Sequence, residues 1–467
     1  MKTALAAEIP STTPSVKTGK AQRETIPRTA HADLVDRPKG FDPIQILIDQ
    51  GEGRVPELLP VRYARMALDE FSFLRGAAAV MAADIALGPS TDLNVQLCGD
   101  AHLSNFGVFY SPERRLVFDI NDFDETNPGP FEWDVKRLVA SIAVAADSLN
   151  FSKGQQERAV FSAVQSYRNS MRLFSLAPTL EVWYAHLEVE AALQLLERSL
   201  SDDAQRRTQS LLQKARGKGS QKAYAKLVDQ TPDGPVIKSD PPLLVPIKDL
   251  AGDVQTNVYE FLKHVLRGYE ETLPSAWRHL LHQFTPIDAA RKVVGVGSVG
   301  TRCFVLLMLG RDADDPFFLQ VKEANASVLE AHLGPSKYST PGHRVVAGQQ
   351  LTQATPDPFL GWFDAPDPTG TERHFYVRQL YDGKASAEVS TMDAPMLKAY
   401  ASICGWTLAH AHARSGDRVA IASYLGKSDA FDRSMASFAL AYVKRNHADH
   451  TALTDAIASG RVIASTP

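Results

Sequence analysis

The stretch Gln96–Glu125, QLCGDAHLSNFGVFYSPERRLVFDINDFDE, constrains this chain more than any other part of it. Asp100, His102 and Asn105 set a carboxylate, an imidazole and an amide within six residues. The apolar run Leu116-Val117-Phe118 then delivers Asp119, Asp122, Asp124 and Glu125. Carboxylates this close repel one another, so a folded chain tolerates them best where a cation or a wet cleft neutralises them. The donors are hard oxygens and one amide, with a single histidine and only Cys98 as sulfur, a set that suits Mg²⁺ better than Zn²⁺. The plainer reading is a surface acidic turn whose Asp and Asn side chains cap helices. An Asp-x-His-x-x-Asn spacing followed by a strand that ends in acids is more specific than such a turn requires.

At 467 residues the chain is long enough for several structural units around a large core. Its 44% hydrophobic and 22% charged residues are those of an ordinary globular protein. Lys and Arg number 50 against 54 Asp and Glu, a net charge of -4, which gives no electrostatic grip on nucleic acid or anionic lipid. Neither is expected as a partner. Cys98, Cys303 and Cys404 are few, odd in number and scattered, which fits a reducing compartment without disulfides or structural zinc. The opening MKTALAAEIP starts like a secretory signal, but Glu8 breaks its apolar run, and a cytoplasmic protein is expected. No run approaches the ~18 apolar residues of a membrane span.

Residues 1–35, rich in Thr, Ser, Pro and Lys and without apolar periodicity, read as a disordered leader. Residues 36–150 begin with helical patterns around Ile44, Leu47 and Phe71, and Ala77–Leu87 reads as a helix leading into a strand at Val95–Leu97. Arg62, Arg65 and Arg75 could reach phosphates, but bridging elements is the commoner role of such arginines. Beyond the acids, Val135, Leu138, Val139, Ile142 and Ala145 recur at helical spacing, with Asp134 in the N-cap position. Residues 151–290 read as largely helical, with a Lys/Gln/Ser-rich interruption near Lys214–Lys222 and a Pro-rich linker from Pro232 to Pro246. Residues 391–467 are again helical. Within them Met396–Arg414 is amphipathic and closed by Gly416, and His410 and His412, two apart, are packing residues rather than metal partners.

Residues 291–390 switch to strand and turn. Gly295, Gly297 and Gly300, with Ser298 between them, spell G-x-G-x-x-G. In a dinucleotide-binding fold that motif opens a helix, whereas here it enters the strand Cys303–Leu309. A turn and a third run, Phe317–Val321, end in Lys322. That context matches the glycine hairpin of a protein kinase, whose loop covers ATP phosphates and whose lysine on a following strand holds them. The plainer reading is an ordinary hairpin with a surface lysine. Downstream, Arg344–Gln353 reads as a helix, Pro358–Phe363 and His374–Leu380 as strands, and Tyr381-Asp382-Gly383 as a hinge-like break.

Gly99-Asp100-Ala101-His102-Leu103-Ser104-Asn105 resembles the catalytic loop of aminoglycoside- and choline-kinase-like phosphotransferases, where Gly-Asp-x-His-x-x-Asn supplies base and metal ligand. Asn121–Glu125 resembles their acidic metal motif, and Trp133-Asp134 the helix cap after it. In those kinases the glycine hairpin and its lysine precede the catalytic loop, and here they follow it. The helix Leu408–Ala413 resembles the one that runs into the loop, so the order implies circular permutation, which exposed connections permit. The implied fold is α+β, a permuted protein-kinase-like (aminoglycoside phosphotransferase-like) fold of two lobes, with a large helical lobe and a small antiparallel-sheet nucleotide lobe. From about Arg37 onward, including Phe71–Gly76, Gly295–Gly300 and Arg378–Asp382, the chain also resembles an uncharacterised bacterial family known only by a domain-of-unknown-function label.

The resemblance implies ATP and Mg²⁺ as cofactors. Asp100 would take the proton of an acceptor hydroxyl, with His102 fixing the loop. Asn105 and Asp122 would hold the metal, Lys322 would neutralise phosphate, and Gly295, Gly297, Ser298 and Gly300 would close over the nucleotide. The spacing from Asn105 to Asp122 is longer than the kinase pattern, which leaves Asp119 as a rival ligand. For an acidic partner of Lys322, Glu330 is close in sequence, and Gln349 and Gln350 carry no charge. An inactive nucleotide-binding module, nucleotidyl transfer on the same fold, and a metallophosphoesterase are the other readings; the last lacks its further His and Asn ligands. The sequence specifies neither the acceptor nor the oligomeric state.

Overall fold

Apolar residues at helical spacing build a helical body, and alternating ones build antiparallel sheets. The computed structural model describes residues 11–190, 205–206, 209–210, 212–213, 219–250, 258–367, 370–380 and 383–465. It is a mixed α+β structure, about 51% helix and 17% strand. The chain begins with α1 (Thr13–Thr25), α2 (Pro43–Asp49), α3 (Leu59–Met66), α4 (Glu70–Gly76) and α5 (Ala78–Ala86). Strands β1 (Asn94–Leu97), β2 (Phe106–Tyr110), β3 (Leu116–Ile120) and β4 (Asn127–Pro130) precede α6 (Phe131–Ser148), α7 (Lys153–Leu176) and α8 (Thr179–Tyr184). Next come β5 (Leu187–Glu188), α9 (Ser220–Leu227), β6 (Val228–Thr231), β7 (Gly234–Ile237), β8 (Leu244–Pro246), α10 (Val258–Glu270) and α11 (Ser275–Leu281). Strands β9 (Thr285–Lys292), β10 (Cys303–Leu309) and β11 (Pro316–Ala324) lead to α12 (Glu330–Leu333), α13 (Pro341–Thr352), β12 (Gly361–Pro366), β13 (Glu372–Gln379) and β14 (Ala385–Ser386). The helices α14 (Ala394–Ser415), α15 (Arg418–Leu425) and α16 (Ala430–Ala458) close the chain.

Helix α6 is the axis of the helical body. Every residue from Phe131 to Ala146 is buried, as expected of a helix enclosed on all sides. Its alanines let α7, α14 and α16 approach closely. Among the described residues no helix is long and apolar enough to cross a membrane.

The larger sheet runs β12-β13-β11-β10-β9-β8, with antiparallel neighbours throughout. Central β11 is buried along its whole length. Since side chains alternate across a strand, Phe317, Leu319 and Val321 pack with Val265 and Tyr269 of α10, while Phe318 packs with Ala223 and Leu227 of α9. Gln320 and Lys322 share the Phe318 face. Their register partners are Arg378 and Tyr376 on β13, so four polar side chains form one ladder. Buried polar groups of this kind need partners, and the acidic stretch of the helical body supplies them.

The β2–β3 hairpin sits between Asn105 and Asn121, whose backbones meet at its open end, Asn121 N donating to Asn105 O at 2.7 Å. A longer spacing between loop and acids is therefore taken up by a hairpin that returns them side by side. Strand β1 pairs with β4, tying Leu97 to Asn127.

Three expectations need correction. Residues 13–25, inside the expected leader, form α1, although residues 1–10 lie outside the described residues. Gly19 is the residue that α1 buries, and a Cβ there would run into the Ala420 carbonyl. Arg23 donates to Tyr424 O at 2.9 Å and to Ser423 O, and Arg28 to Leu425 O at 2.6 Å, so arginines meet the open carbonyls at the end of α15. A helix docked by a glycine and Arg23, with Arg28 just after it, has no apolar stripe to read. Second, the expected Pro-rich linker holds β7, which pairs with β6 just before it, and the edge strand β8. Third, the sheet does not begin at residue 291, because β8 and β9 belong to it. Residues 214–218 of the polar interruption, and Tyr381 and Asp382 of the hinge-like break, lie outside the described residues.

Candidate functional site

The loop after β1 is held by a side chain from the following helix. Cys98 N and Gly99 N donate to the two Asp134 carboxylate oxygens at 2.8 and 3.0 Å, and His412 Nε2 lies 3.2 Å from the same carboxylate. Asp134 is not the expected N-cap. Pro130 occupies that position, and Asp134, in the first turn, uses its charge on the neighbouring loop. His412 is itself oriented by Tyr167 at 2.8 Å, and His410 meets Val182 O at 3.0 Å, so both are buried packing residues. Gly99 has φ 85° and touches the backbone of Glu125, which joins the loop to the acidic motif.

Asp100 accepts from Arg137 Nε at 2.7 Å, and Arg137 also donates to Leu74 O at 2.6 Å. His102 Nε2 lies 3.6 Å from the other Asp100 oxygen. Burial, reinforced by Arg75 and Arg137 and opposed by Asp100, pushes His102 down to about 4, so its ring is neutral at ordinary pH. Asn105 donates its side-chain nitrogen to Asp100 O at 2.8 Å, which leaves the amide oxygen for the cleft it lines.

The acidic partner of Lys322 is Asp124. Lys322 Nζ lies 2.6 Å from Asp124 Oδ2 and 3.5 Å from Asp122 Oδ2. Burial opposes the charge of Lys322, but the two carboxylates outweigh it and hold the ammonium well above its ordinary range. Burial likewise works against Asp122, yet Lys322, Arg378 and Lys384 keep its carboxyl well below the usual range. Asp124 also accepts from Tyr376 OH at 2.6 Å and from Ser298 Oγ at 3.2 Å. With both its oxygens committed, Asp124 serves the lysine and Asp122 is the freer carboxylate. Glu330 instead faces Arg344 at 3.6 Å, and Gln349 donates to Gln353. Arg344 donates to Thr126 O, Asp124 O and Asn325 O at 2.5–2.8 Å, fastening α13 to the acidic motif.

The glycine-rich loop between β9 and β10 turns at Gly295 and Gly300, with φ 65° and 89°. Arg54 donates to Gly297 O at 2.8 Å and Val299 O at 2.6 Å, and Arg65 to Gly295 O at 2.7 Å. Val55 N donates to Gly300 O at 2.7 Å. Arg65 and Arg62 bridge elements as expected, and Arg62 and Arg75 both line the cleft. The cleft, about 350 Å³, is lined by Asp100, His102, Asn105 and Asp122 on one side and by Gly295, Gly297 and Ser298 on the other.

Residues 54–456 match the family model described as an uncharacterized protein conserved in bacteria (DUF2252). The chain belongs to this family. No curated protein and no solved structure matches it. In this DUF2252 member the matched span begins at Arg54, the clamp of the glycine-rich loop, and leaves α1 outside.

The structure does not bring Asp119 to the cleft. It lies within β3, its carboxylate accepting from Ile120 N at 2.8 Å, and burial, opposed by Arg414 and His186, pushes it up to about 7. An acid whose folded pKa is raised binds protons in the folded state that it has released when unfolded, so its contribution to stability falls as pH rises from its ordinary value to about 7. Asp119→Asn should therefore be more stable than wild type above pH 7, by on the order of a few kcal/mol, with the gain fading toward pH 4. Urea melts at the two pH values check this, and a destabilised variant at pH 8 would contradict it.

For a hard cation, the cleft offers the Asn105 amide oxygen and the Asp122 carboxylate, with Asp100 on the same wall. These oxygen donors fit Mg²⁺. Among the described residues, a tighter group of His and carboxylate atoms, Asp364, Glu372 and His374, mutually within 4.8 Å, lies at the exposed edge of β12 and β13.

Proposed function

We propose that this chain is an ATP- and Mg²⁺-dependent phosphotransferase of kinase-like, circularly permuted architecture, acting on a hydroxyl-bearing acceptor in the cytoplasm. The observation that carries the reading is the single cleft in which Asp100, Asn105 and Asp122 face the glycine-rich loop, with Lys322 joined to it through Asp122 and Asp124. Phosphoryl transfer asks the protein for positioning and charge neutralisation more than for covalent chemistry. Those are the functions these side chains can perform.

In this reading Asp100, oriented by Arg137, accepts the proton of the acceptor hydroxyl. Neutral His102 positions the loop and carries no proton of its own through the reaction. Asn105 and Asp122 would hold Mg²⁺, which when bound supplies positive charge to the β- and γ-phosphates. Lys322, on the third strand counted from β9, keeps its own charge through Asp124 and presents it to phosphate oxygens. Backbone N–H groups of Gly297 to Gly300 close over the phosphates. Asp124 gives Lys322 an acidic partner, which favours this reading over an inactive module.

Permutation is supported by where α14 ends. Gln96 N of β1 donates to Ser415 Oγ at 3.1 Å, so the helix that follows the sheet finishes beside the strand that enters the Asp100 loop. A short link there would restore the order of the kinases this sequence resembles.

Titration calorimetry with Mg²⁺ and ATP tests the reading. Micromolar, Mg²⁺-dependent binding is expected in the wild type, weakened at least about tenfold in both Lys322→Ala and Asp122→Asn. Absence of nucleotide binding in the wild type would remove the proposal.

A further inference from the structure

The acids of the cleft are already matched. Asp100 has Arg137, Asp122 and Asp124 have Lys322, and Glu323 accepts from Arg302 N at 2.8 Å and Nη1 at 3.1 Å. Glu125 accepts from Val328 N at 2.7 Å, and burial pushes it up to about 7, while Glu52 is exposed at the rim. The cations are not all matched. Arg54 is committed to the Gln50, Gly297 and Val299 carbonyls, and Arg62 to Leu47 O, Gln50 Oε1 and Gly76 O. Among the described residues Arg75 has no hydrogen-bond or ion-pair partner, and its Nε is buried. His102 Nδ1, on the same cleft, is also buried and unpartnered. Arg62 Nε, in the same lining, is a third such nitrogen; buried polar nitrogens are normally satisfied, so a group of them around one cavity points to a ligand.

We propose that Arg75 is the anion-binding residue of this cleft, receiving a phosphate-type oxyanion between Asp100 and the glycine-rich loop. Its position suits that role. The Arg75 carbonyl approaches Gly297 so closely that a Cβ there would lie 3.2 Å from it, which puts Arg75 against the loop tip. Asp100 is the first charge its guanidinium feels, but that carboxylate is held by Arg137. A planar guanidinium with free donors matches two oxygens of a phosphate, a geometry that an ammonium cannot reproduce. The inference deepens the phosphotransferase reading and rests on it only for what carries the anion. That carrier is either the terminal phosphate of the nucleotide or an anionic group of the acceptor.

Calorimetry of wild type, Arg75→Ala and Arg75→Lys, each first shown to melt like the wild type without ligand, separates these cases. Inorganic phosphate is the first probe, and its affinity should fall roughly tenfold or more in Arg75→Ala, with Arg75→Lys between. If Arg75→Ala weakens binding of MgATP but not of MgADP, the terminal phosphate is the ligand. If both nucleotides bind unchanged, and phosphate added over a saturating non-hydrolysable MgATP analogue loses affinity in Arg75→Ala, the ligand belongs to the acceptor. Phosphate that binds wild type and Arg75→Ala alike, or binds neither, overturns the proposal. Phosphate held through Arg75 by a wild type that ignores nucleotide keeps the anion site and discards the phosphotransferase.

Discussion

Gly99→Ala is expected to break the site. Two costs fall on one methyl group. The residue sits at φ 85°, where an alanine is strained, and its Cβ would run into the Glu125 carbonyl and side chain. Neither neighbour is free to yield. The Gly99 amide is bound to Asp134, and the Glu125 carbonyl accepts from Ser327 Oγ at 2.8 Å, so both sides of the contact are tied down. Strain with steric conflict at a fixed backbone belongs to the rare class of changes costing about 4 kcal/mol or more. The alternative to unfolding is a displaced loop, which would move Asp100 off the cleft. Melting temperature and nucleotide titration together cover both results. Gly297→Ala is the control, since its added Cβ meets one carbonyl at 3.2 Å, and it should melt close to the wild type. A Gly99→Ala protein that melts and binds like the wild type would show that the loop does not rest on Glu125.

The residues legible in the sequence were those whose chemistry is local. Asp100, His102 and Asn105 share one loop, and Asp122 follows a readable strand; the structure collects all four in the cleft with Gly295, Gly297 and Ser298. What escaped were side chains whose partners lie far away along the chain. Asp124 stood among the acids, but nothing local shows that it faces a lysine from β11. Arg137 and Arg54 carried no signal of their own, because their acceptors are a carboxylate and carbonyls of other segments. One signal was available. Gln320 and Lys322 alternate with Phe, Leu and Val, and Tyr376 and Arg378 alternate in the same way, which marks a strand pair with one polar face. Asp119 illustrates the converse error. In an acidic motif each carboxylate invites the same role, and strand direction decides which of them reaches the cleft. Helix α1 shows a third limit, since a helix held by side chains at another helix's end carries no hydrophobic period.

Asp100→Asn is expected to separate chemistry from binding. Asparagine keeps an oxygen for Arg137 Nε, and the other Arg137 contacts, to Leu74 O and Met81 Sδ, do not involve Asp100. The loop should therefore hold its shape. What disappears is the capacity to take a proton, and loss of a positioned general base costs about 10²–10⁴-fold in turnover. MgATP affinity, which in this reading depends on Asn105, Asp122 and Lys322, should stay within a few-fold of the wild type. Asp122→Asn should behave differently, losing affinity and turnover together, because it removes charge from the cation site and from the field that keeps Lys322 protonated. The contrast carries more than either variant alone. Two carboxylates on one cleft wall, one bound to a protein arginine and the other the freer member of the Lys322 pair, should fail in different ways. ADP release and nucleotide titration measured on the same preparations read that difference, and an Asp100→Asn enzyme with undiminished turnover would take the proton-accepting role away from Asp100.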